Sequence, residues 1–191
     1  MLDASRELSP RAIRLADYRP PGFLVDSVAL VFELGEEKTT VKTKLALRRN
    51  PAADPQAPLV LDGEDLTLVS VTLDGERLGA NRYQRDENAL TLRGVPDRFT
   101  LDIETLIEPQ NNTRLSGLYK SGGNFCTQCE AEGFRRITYF PDRPDVMARY
   151  TTTIIAEKQR YPVLLSNGTP AATGERAAGR HWARGADPHP K

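Results

Sequence analysis

The stretch Asp26-Ser27-Val28-Ala29-Leu30-Val31-Phe32-Glu33-Leu34 decides the fold, because large apolar residues alternate in it with small or polar ones. In an extended chain, one face of this stretch carries Asp26, Val28, Leu30, Phe32 and Leu34. The other face carries Ser27, Ala29 and Glu33. A period of two residues is that of a half-buried β-strand. The same alternation recurs at Val41, Thr43, Leu45 and Leu47, which predicts a second strand of the same kind.

Further runs rich in β-branched and apolar residues follow along the chain, at 66–73, 89–92, 99–107 and 149–156. Asp74-Gly75 and Asn167-Gly168 are dipeptides typical of tight hairpin turns. Only 143–148 indicates a helix, of one or two turns, with Asp142 as its N-cap. The sequence therefore predicts an all-β domain, either an antiparallel β-sandwich or a saddle-shaped sheet, with one short helix.

Composition excludes several classes of function. The chain has 26 basic and 26 acidic side chains and a formal net charge of zero, so it carries no electrostatic footprint for nucleic acid or an anionic membrane. No apolar run approaches the roughly 20 residues of a transmembrane helix, and residues 1–8 lack the apolar core of a signal peptide. We expect neither nucleic acid nor membrane as a partner.

Residues 1–16 are polar and mixed in charge, which predicts a flexible N-terminal arm before a single β-domain at 17–191. The chain has two cysteines, Cys126 and Cys129, too few for a disulfide framework. We expect both thiols to be reduced and the protein to be cytoplasmic.

The stretch Cys126-Thr127-Gln128-Cys129-Glu130-Ala131-Glu132-Gly133-Phe134 places a glutamine and two glutamates beside an aromatic residue. A carboxylate held in a partly desolvated pocket binds an ammonium group through charge-assisted hydrogen bonds of about 1.5–3 kcal/mol each. A glutamine amide can both donate and accept. Taken alone, a Gln-x-Glu on a loop is most often solvated surface, so the residue types nominate Glu130 and Gln128 without assigning them a role.

Three further stretches accompany this one: Asp62-Gly63-Glu64-Asp65-Leu66-Thr67-Leu68-Val69-Ser70-Val71, Tyr161-Pro162-Val163-Leu164-Leu165-Ser166-Asn167-Gly168 and Gly179-Arg180-His181-Trp182. Together they resemble the N-terminal domain of the proteobacterial aminopeptidase N family, which belongs to the gluzincin zinc aminopeptidases. The resemblance covers the chain from about Asp17 onward. It implies that the Gln128-Cys129-Glu130 element reaches into the active site, where Glu130 holds the substrate α-amino group and Gln128 lines the pocket for the first side chain.

The zinc pattern of that family is missing from this sequence. A His-Glu-x-x-His helix would supply two zinc ligands and a general base, but the only histidines are His181 and His189. We therefore expect no catalytic residue and no metal site in this chain. The resemblance implies the N-terminal domain of a multidomain enzyme, inactive alone, with zinc held by the catalytic domain of the same polypeptide. The expected partners are that domain and peptides with a free N-terminus.

Other patterns favour structural interpretations. Cys126-x-x-Cys129 lacks the second ligand pair of a zinc site and the βαβ context of a redox motif. Glu132 is interpreted as a surface or structural carboxylate, and His181-Trp182 as packing. Alternating charges are expected to form ion pairs that fix the loop; they are Arg135, Arg136, Asp142, Arg143 and Asp145. The second hypothesis for the whole chain is a stand-alone β-sandwich binding or interaction module.

Overall fold

The computed structural model describes residues 14–191, and in them the chain forms strands joined by turns and three single-turn 3-10 helices. The strands are β1 (Phe23–Glu33), β2 (Thr39–Arg49), β3 (Leu59–Asp62), β4 (Thr67–Leu73), β5 (Glu76–Arg77), β6 (Gln84–Arg85), β7 (Ala89–Leu92), β8 (Arg98–Ile107), β9 (Gly117–Ser121), β10 (Asn124–Gln128), β11 (Arg149–Glu157), β12 (Thr169–Arg176) and β13 (Arg180–Ala186). The 3-10 helices are Leu15–Asp17, Ala80–Arg82 and Phe134–Arg136. None of the helices in this part of the chain has the length and apolar character to span a membrane.

Eight strands form the main sheet, in the order β12-β13-β11-β1-β2-β8-β4-β5. Every neighbouring pair is antiparallel except β1 and β11, which run parallel from the pair Ser27 and Arg149 to the pair Glu33 and Ile155. A three-stranded sheet, β3-β7-β6, and the β9–β10 hairpin complete the fold. The predicted all-β class is confirmed, with a main sheet that is mixed rather than purely antiparallel.

The alternation in β1 is interrupted once, at Asp26. The pairing with β2 shifts between Val25 and Ser27, so Asp26 is an extra residue in β1 and forms a β-bulge. Val25 thus joins Val28 on the buried face, whereas Asp26 turns away and accepts hydrogen bonds from Arg48 Nε at 2.8 Å and Arg98 at 3.4 Å. The predicted placement of Asp26 on the same face as Val28 is wrong. The extra residue of the bulge reverses, for the residues before it, which positions face the core.

The two faces of the main sheet differ in chemistry. One face carries cross-strand ion pairs, among them Lys42 with Glu33 at 2.9 Å and Lys44 with Asp102 at 3.4 Å. Lys44 and Asp102 lie directly opposite each other on β2 and β8, where unlike charges stabilise a sheet modestly. The other face is buried and apolar, and its central side chains are Val28, Leu30, Phe32, Val41, Leu45, Leu47, Leu101 and Ile103.

The buried face packs against β3, β7 and the segment 137–148. Polar contacts fix the alignment of these layers: the Thr43 hydroxyl donates to the Thr138 hydroxyl at 2.8 Å, and the Thr105 hydroxyl donates to the Ile137 carbonyl at 3.2 Å. An isolated antiparallel bridge joins Asp62 at the end of β3 to Phe140. Burying side chains such as Leu45, which is fully covered, contributes about 1.5–3 kcal/mol each by transfer from water.

The short helix predicted at 143–148 does not form. Pro144 and Asp145 make a turn, and the Val146 amide donates to the Arg143 carbonyl at 3.1 Å. Pro144 disfavours the helical conformation for the residue before it. Asp142 is no N-cap either, because its carboxylate accepts hydrogen bonds from Arg135 instead. This prediction was wrong because a tertiary ion pair and a proline outweighed a local signal.

The predicted arm at 1–16 lies mostly outside the described residues. Within its described end, Leu15 belongs to a 3-10 helix that extends to Asp17. The next residue, Tyr18, donates a hydrogen bond from its hydroxyl to Asp145 at 3.0 Å. The domain boundary between residues 16 and 17 stays a prediction.

Gly63 offers a test of the packing between β3 and the segment that follows the 3-10 helix Phe134–Arg136. A Cβ atom at Gly63 would overlap the ring of Tyr139, which is buried, so we expect Gly63→Ala to destabilise the fold by about 1–3 kcal/mol in urea unfolding. The matched control is Gly79→Ala. Gly79 has a φ of −74° and meets only the exposed side chain of Asn81, so its cost should stay within about 0.5 kcal/mol. Equal effects would contradict the packing described here.

Candidate functional site

The β9–β10 hairpin carries the first candidate residue. Gly122 and Gly123 join its strands, and both have positive φ, at 57° and 86°, which glycine adopts without steric cost. Gln128 is the last residue of β10 and pairs with Gly117. This hairpin was not predicted, although a Gly-Gly pair between two short runs of strand-forming residues is a hairpin signal.

A cluster of Glu36, Lys120, Phe125 and Tyr161 attaches the hairpin to the main sheet. Glu36 accepts hydrogen bonds from Lys120 Nζ at 2.9 Å and from the Tyr161 hydroxyl at 2.8 Å. The rings of Phe125 and Tyr161 are 5.2 Å apart, and Lys120 Nζ lies 4.8 Å from the Phe125 ring centre. The hydrogen bonds from Lys120 and Tyr161 lower the pKa of Glu36. These contacts hold the hairpin at Lys120 and Phe125, and they do not involve Gln128.

Gln128 ends β10 and Glu130 follows two residues later, and both are exposed. The Gln128 side-chain amide is 3.4 Å from the Glu130 carbonyl oxygen, a long hydrogen bond. The Gly133 amide donates to the Cys129 carbonyl at 2.7 Å and closes a tight loop at 129–133; the Glu130–Ala131 peptide bond in it is cis. Across residues 14–191, no hydrogen bond or ion pair engages the Glu130 carboxylate.

Glu130 borders a shallow polar cleft of about 450 Å³. The other lining residues are Glu64, Arg114, Ser116, Ala131, Glu132, Arg135 and Arg136. Both acidic and basic side chains line the cleft, and the cleft is open to solvent. Glu130 thus presents a free carboxylate at the rim of a surface whose other acidic groups have cationic partners.

Arg135 is the centre of the ion pairs behind this loop. Its Nε lies 3.1 Å from Asp142 Oδ2, its backbone amide donates to the same oxygen at 3.0 Å, and its guanidinium donates to the Asp142 carbonyl at 2.9 Å. It also pairs with Glu132 at 3.2 Å. The predicted structural role of Glu132 is confirmed by this contact.

The remaining charged residues near the loop are also paired. Arg136 binds Glu64 and Asp65 on the connection between β3 and β4. Arg143 pairs with Asp145 at 2.7 Å. All five residues form ion pairs, as predicted, but of the three arginines Arg135 alone pairs with a side chain of the 129–133 loop, that of Glu132.

A separate apolar groove has a volume of about 520 Å³. Its walls come from β1, β11, β10 and the segment 161–167, and include Leu30, Phe32, Phe125, Cys129, Phe134, Tyr150, Ile154, Val163 and Leu165. Phe134 contacts Phe140 edge to face, with ring centres 4.9 Å apart, and Tyr150 at 6.0 Å. Val163 and Leu165 on the rim are 70% and 82% exposed. Aromatic residues therefore support the 129–133 loop from the groove side.

The two cysteines are free thiols, as expected. Burial, and secondly the negative charge of Asp142, raise the pKa of Cys129 to about 11, so its thiol is protonated at neutral pH. No group of three or more His, Cys, Asp or Glu residues within 14–191 is arranged to hold a metal ion. His181 makes a structural polar contact, with its Nε2 2.7 Å from the Tyr161 carbonyl oxygen.

The ion pair behind the loop leads to a stability prediction. Asp142→Asn should cost about 2–3 kcal/mol in urea unfolding, because it removes the most buried carboxylate partner of the largely buried Arg135 guanidinium and leaves the more exposed Glu132. Asp102→Asn is the control, since its ion pair with Lys44 is exposed and should be worth less than about 1 kcal/mol. A cost for Asp142→Asn no larger than that of the control would show that the pair does not hold the loop.

The pKa of Cys129 gives a prediction on pH dependence. In a Cys126→Ser variant, alkylation of Cys129 by iodoacetamide should stay slow through pH 9 and accelerate towards pH 11, because the thiolate is the reactive form. The folded pKa lies above the ordinary value of 9.0, so the stabilisation from the buried neutral thiol is complete below pH 9 and lost as the pH rises to about 11. A rate profile with its midpoint near pH 9 would contradict the buried placement.

The family described as the Peptidase M1 N-terminal domain matches residues 26–189. Aminopeptidase N of Caulobacter vibrioides is 51% identical over 183 residues, which is 96% of this chain and 21% of that relative. Aminopeptidase N of Escherichia coli is 50% identical over 182 residues, covering 95% of this chain and 20% of the relative. The chain spans about a fifth of the length of these curated relatives.

Solved structures give the same match. The structure of Legionella pneumophila aminopeptidase A in complex with aspartic acid superposes with a TM-score of 0.89 at 37% identity, covering 94% of this chain and 21% of that one. An M1 zinc metallopeptidase mutant from Deinococcus radiodurans, bound to a Tyr-Ser-Ala substrate, has a TM-score of 0.73 at 17% identity and covers 88% of this chain and 40% of that one. The second likeness is one of fold.

Proposed function

Because this chain belongs to the family of M1 peptidase N-terminal domains, we propose that it serves a zinc aminopeptidase by binding the α-amino group of a peptide through Glu130 and Gln128. The predicted family is confirmed by the match over residues 26–189 and by half-identical aminopeptidase N relatives. The activity of the longer protein and the roles of both residues are part of this proposal.

The free carboxylate of Glu130 carries the proposal. Its acidic neighbours Glu64 and Glu132 each pair with an arginine, whereas the Glu130 carboxylate has no ion-pair partner among residues 14–191. A carboxylate without a protein partner, on a loop held from behind by ion pairs and aromatic packing, is available for a cationic ligand. Gln128 stands next to it at the end of β10 and offers both a donor and an acceptor.

Recognition of an ammonium group would explain how such an enzyme selects chain ends. The α-ammonium distinguishes the first residue of a peptide from every internal one, and a carboxylate binds it through charge-assisted hydrogen bonds of about 1.5–3 kcal/mol each. A loop at this position would also obstruct a peptide that continued past its amino end. The enzyme would then remove single residues from the N-terminus.

The residues described here do not offer the ligand set that zinc requires, because no suitable group of His, Cys, Asp or Glu occurs among residues 14–191. We place the zinc and its chemistry in the catalytic domain of the parent polypeptide, which would be the principal partner of this chain. The Deinococcus relative was solved with a tripeptide substrate, which supports peptides with a free N-terminus as the ligand class. A cytoplasmic location remains a prediction.

The test is Glu130→Gln in the full-length parent enzyme. We expect kcat/KM for a short peptide to fall roughly 10- to 100-fold, since the substitution removes the charge but keeps the shape and the fold. Asp102→Asn, on the polar face of the main sheet, is the control and should leave kcat/KM unchanged. Near-normal kcat/KM in Glu130→Gln would refute the anchor, and zinc-dependent amino acid release by the pure 191-residue chain would refute the division of labour between domains.

A further inference from the structure

We propose that Arg135 is a positioning residue, which orients Glu130 by fixing the 129–133 loop to the body of the domain. The inference rests on the proposed role of Glu130 and extends it to a residue that contacts no substrate. Arg135 lies in the 3-10 helix Phe134–Arg136, and its side chain is 17% exposed.

Arg135 joins the 129–133 loop to Asp142 and to Glu64, which lies far away in the sequence. Its guanidinium pairs with Glu132 on the loop at 3.2 Å and with Asp142 at 3.1 Å, and lies 3.9 Å from Glu64. Its carbonyl accepts a hydrogen bond from the Glu64 amide at 3.0 Å. Asp142 in turn receives support from β3, because its amide donates to Asp62 at 3.0 Å. The loop is thus tied through one side chain to the edge of the small sheet.

Glu130 needs such support because nothing holds its own side chain. The carboxylate has no partner within 14–191, and the contact from Gln128 reaches only its carbonyl, at 3.4 Å. The position of the carboxylate is therefore set by the backbone of the loop. Three contacts fix that backbone: the hydrogen bond from the Gly133 amide to the Cys129 carbonyl at 2.7 Å, that from the Arg136 amide to the Gly133 carbonyl at 3.1 Å, and the ion pair of Glu132 with Arg135. The first two are local backbone contacts, whereas the ion pair leads through the Arg135 side chain to Asp142.

The geometry of guanidinium suits this task. It presents several N–H groups in one rigid plane, so Nε and a terminal nitrogen bind Asp142 while a terminal nitrogen also pairs with Glu132. A lysine ammonium at the same place would keep the charge without the fork. Arg135→Lys should therefore retain part of the bracing, whereas Arg135→Gln should lose it.

Arg136 supplies a matched control. It belongs to the same 3-10 helix and its side chain is 15% exposed, and it also binds two carboxylates, Glu64 and Asp65. Both of these lie on the connection between β3 and β4, so Arg136 makes no ion pair with the loop. If bracing of the loop is specific to Arg135, Arg135→Gln will loosen the loop and Arg136→Gln will not, although each variant loses ion pairs with carboxylates.

The first experiment uses the chain itself and does not depend on activity. In the Cys126→Ser background, Cys129 reports on the loop, because its thiol is partly buried next to Glu130. Arg135→Gln should speed alkylation of Cys129 by iodoacetamide about tenfold and raise amide exchange at 129–133, since local opening exposes the thiol. Arg136→Gln should leave both rates near those of the parent variant. Equal changes in the two variants would overturn the inference.

The second experiment uses the full-length parent enzyme and a double-mutant cycle. Arg135→Gln alone should lower kcat/KM roughly 10- to 100-fold, because small displacements of a binding group are costly, and Arg135→Lys should recover part of the loss. In the Glu130→Gln background, Arg135→Gln should add little, since the group it orients is already disabled. Additive losses would show that Arg135 acts only through general stability, and would refute the positioning role.

The two experiments separate the failure of this inference from that of the proposed function. If Glu130→Gln leaves kcat/KM intact, the anchor role of Glu130 is refuted, and the positioning role of Arg135 is refuted with it. If Glu130→Gln is impaired while Arg135→Gln is normal in kinetics and in alkylation of Cys129, the anchor stands and the positioning role is refuted.

Discussion

Arg135 and Asp142 form an ion pair with side chains only 17% and 10% exposed, and the candidate site depends on it. Water is largely excluded there, so loss of either partner would leave a charge with little compensation. The pair lies between the polar cleft that Glu130 borders and the apolar groove behind Phe134. The same contact therefore separates two surfaces of different chemistry and holds the loop that runs between them.

The arrangement of charge along the loop follows from this pair. Glu132 and Glu64 are satisfied by arginines from the adjoining 3-10 helix, which leaves Glu130 as the free acid of the group. Phe134, in this 3-10 helix, packs against Phe140 and Tyr150 and so holds the helix in place. A flexible surface glutamate would lose conformational entropy whenever it bound a ligand. Because the backbone of the loop is already fixed, the unpaired Glu130 carboxylate loses less conformational entropy when it binds a ligand.

Period-two patterning predicted the long strands correctly, because half-buried strands are specified residue by residue. It failed at Asp26, where a bulge depends on pairing with β2. The helix predicted at 143–148 from a local capping signal was also wrong, because Pro144 and the tertiary partner of Asp142 prevented it. The family resemblance nominated Gln128 and Glu130. Local sequence could not indicate that Arg135 reaches Asp142 and Glu132, or that Thr43 meets Thr138, since these contacts exist only after the layers pack.

The parallel pairing of β1 with β11 has a consequence for how the domain forms. Ser27 and Arg149 are neighbours in the sheet but lie more than a hundred residues apart in the chain, and the hairpin of β12 and β13 pairs with the sheet through β11. Closure of such a long loop is slow, and contacts of this kind lower folding rates. During synthesis, the edge of β1 that pairs with β11 therefore stays unpaired until nearly the whole domain has left the ribosome.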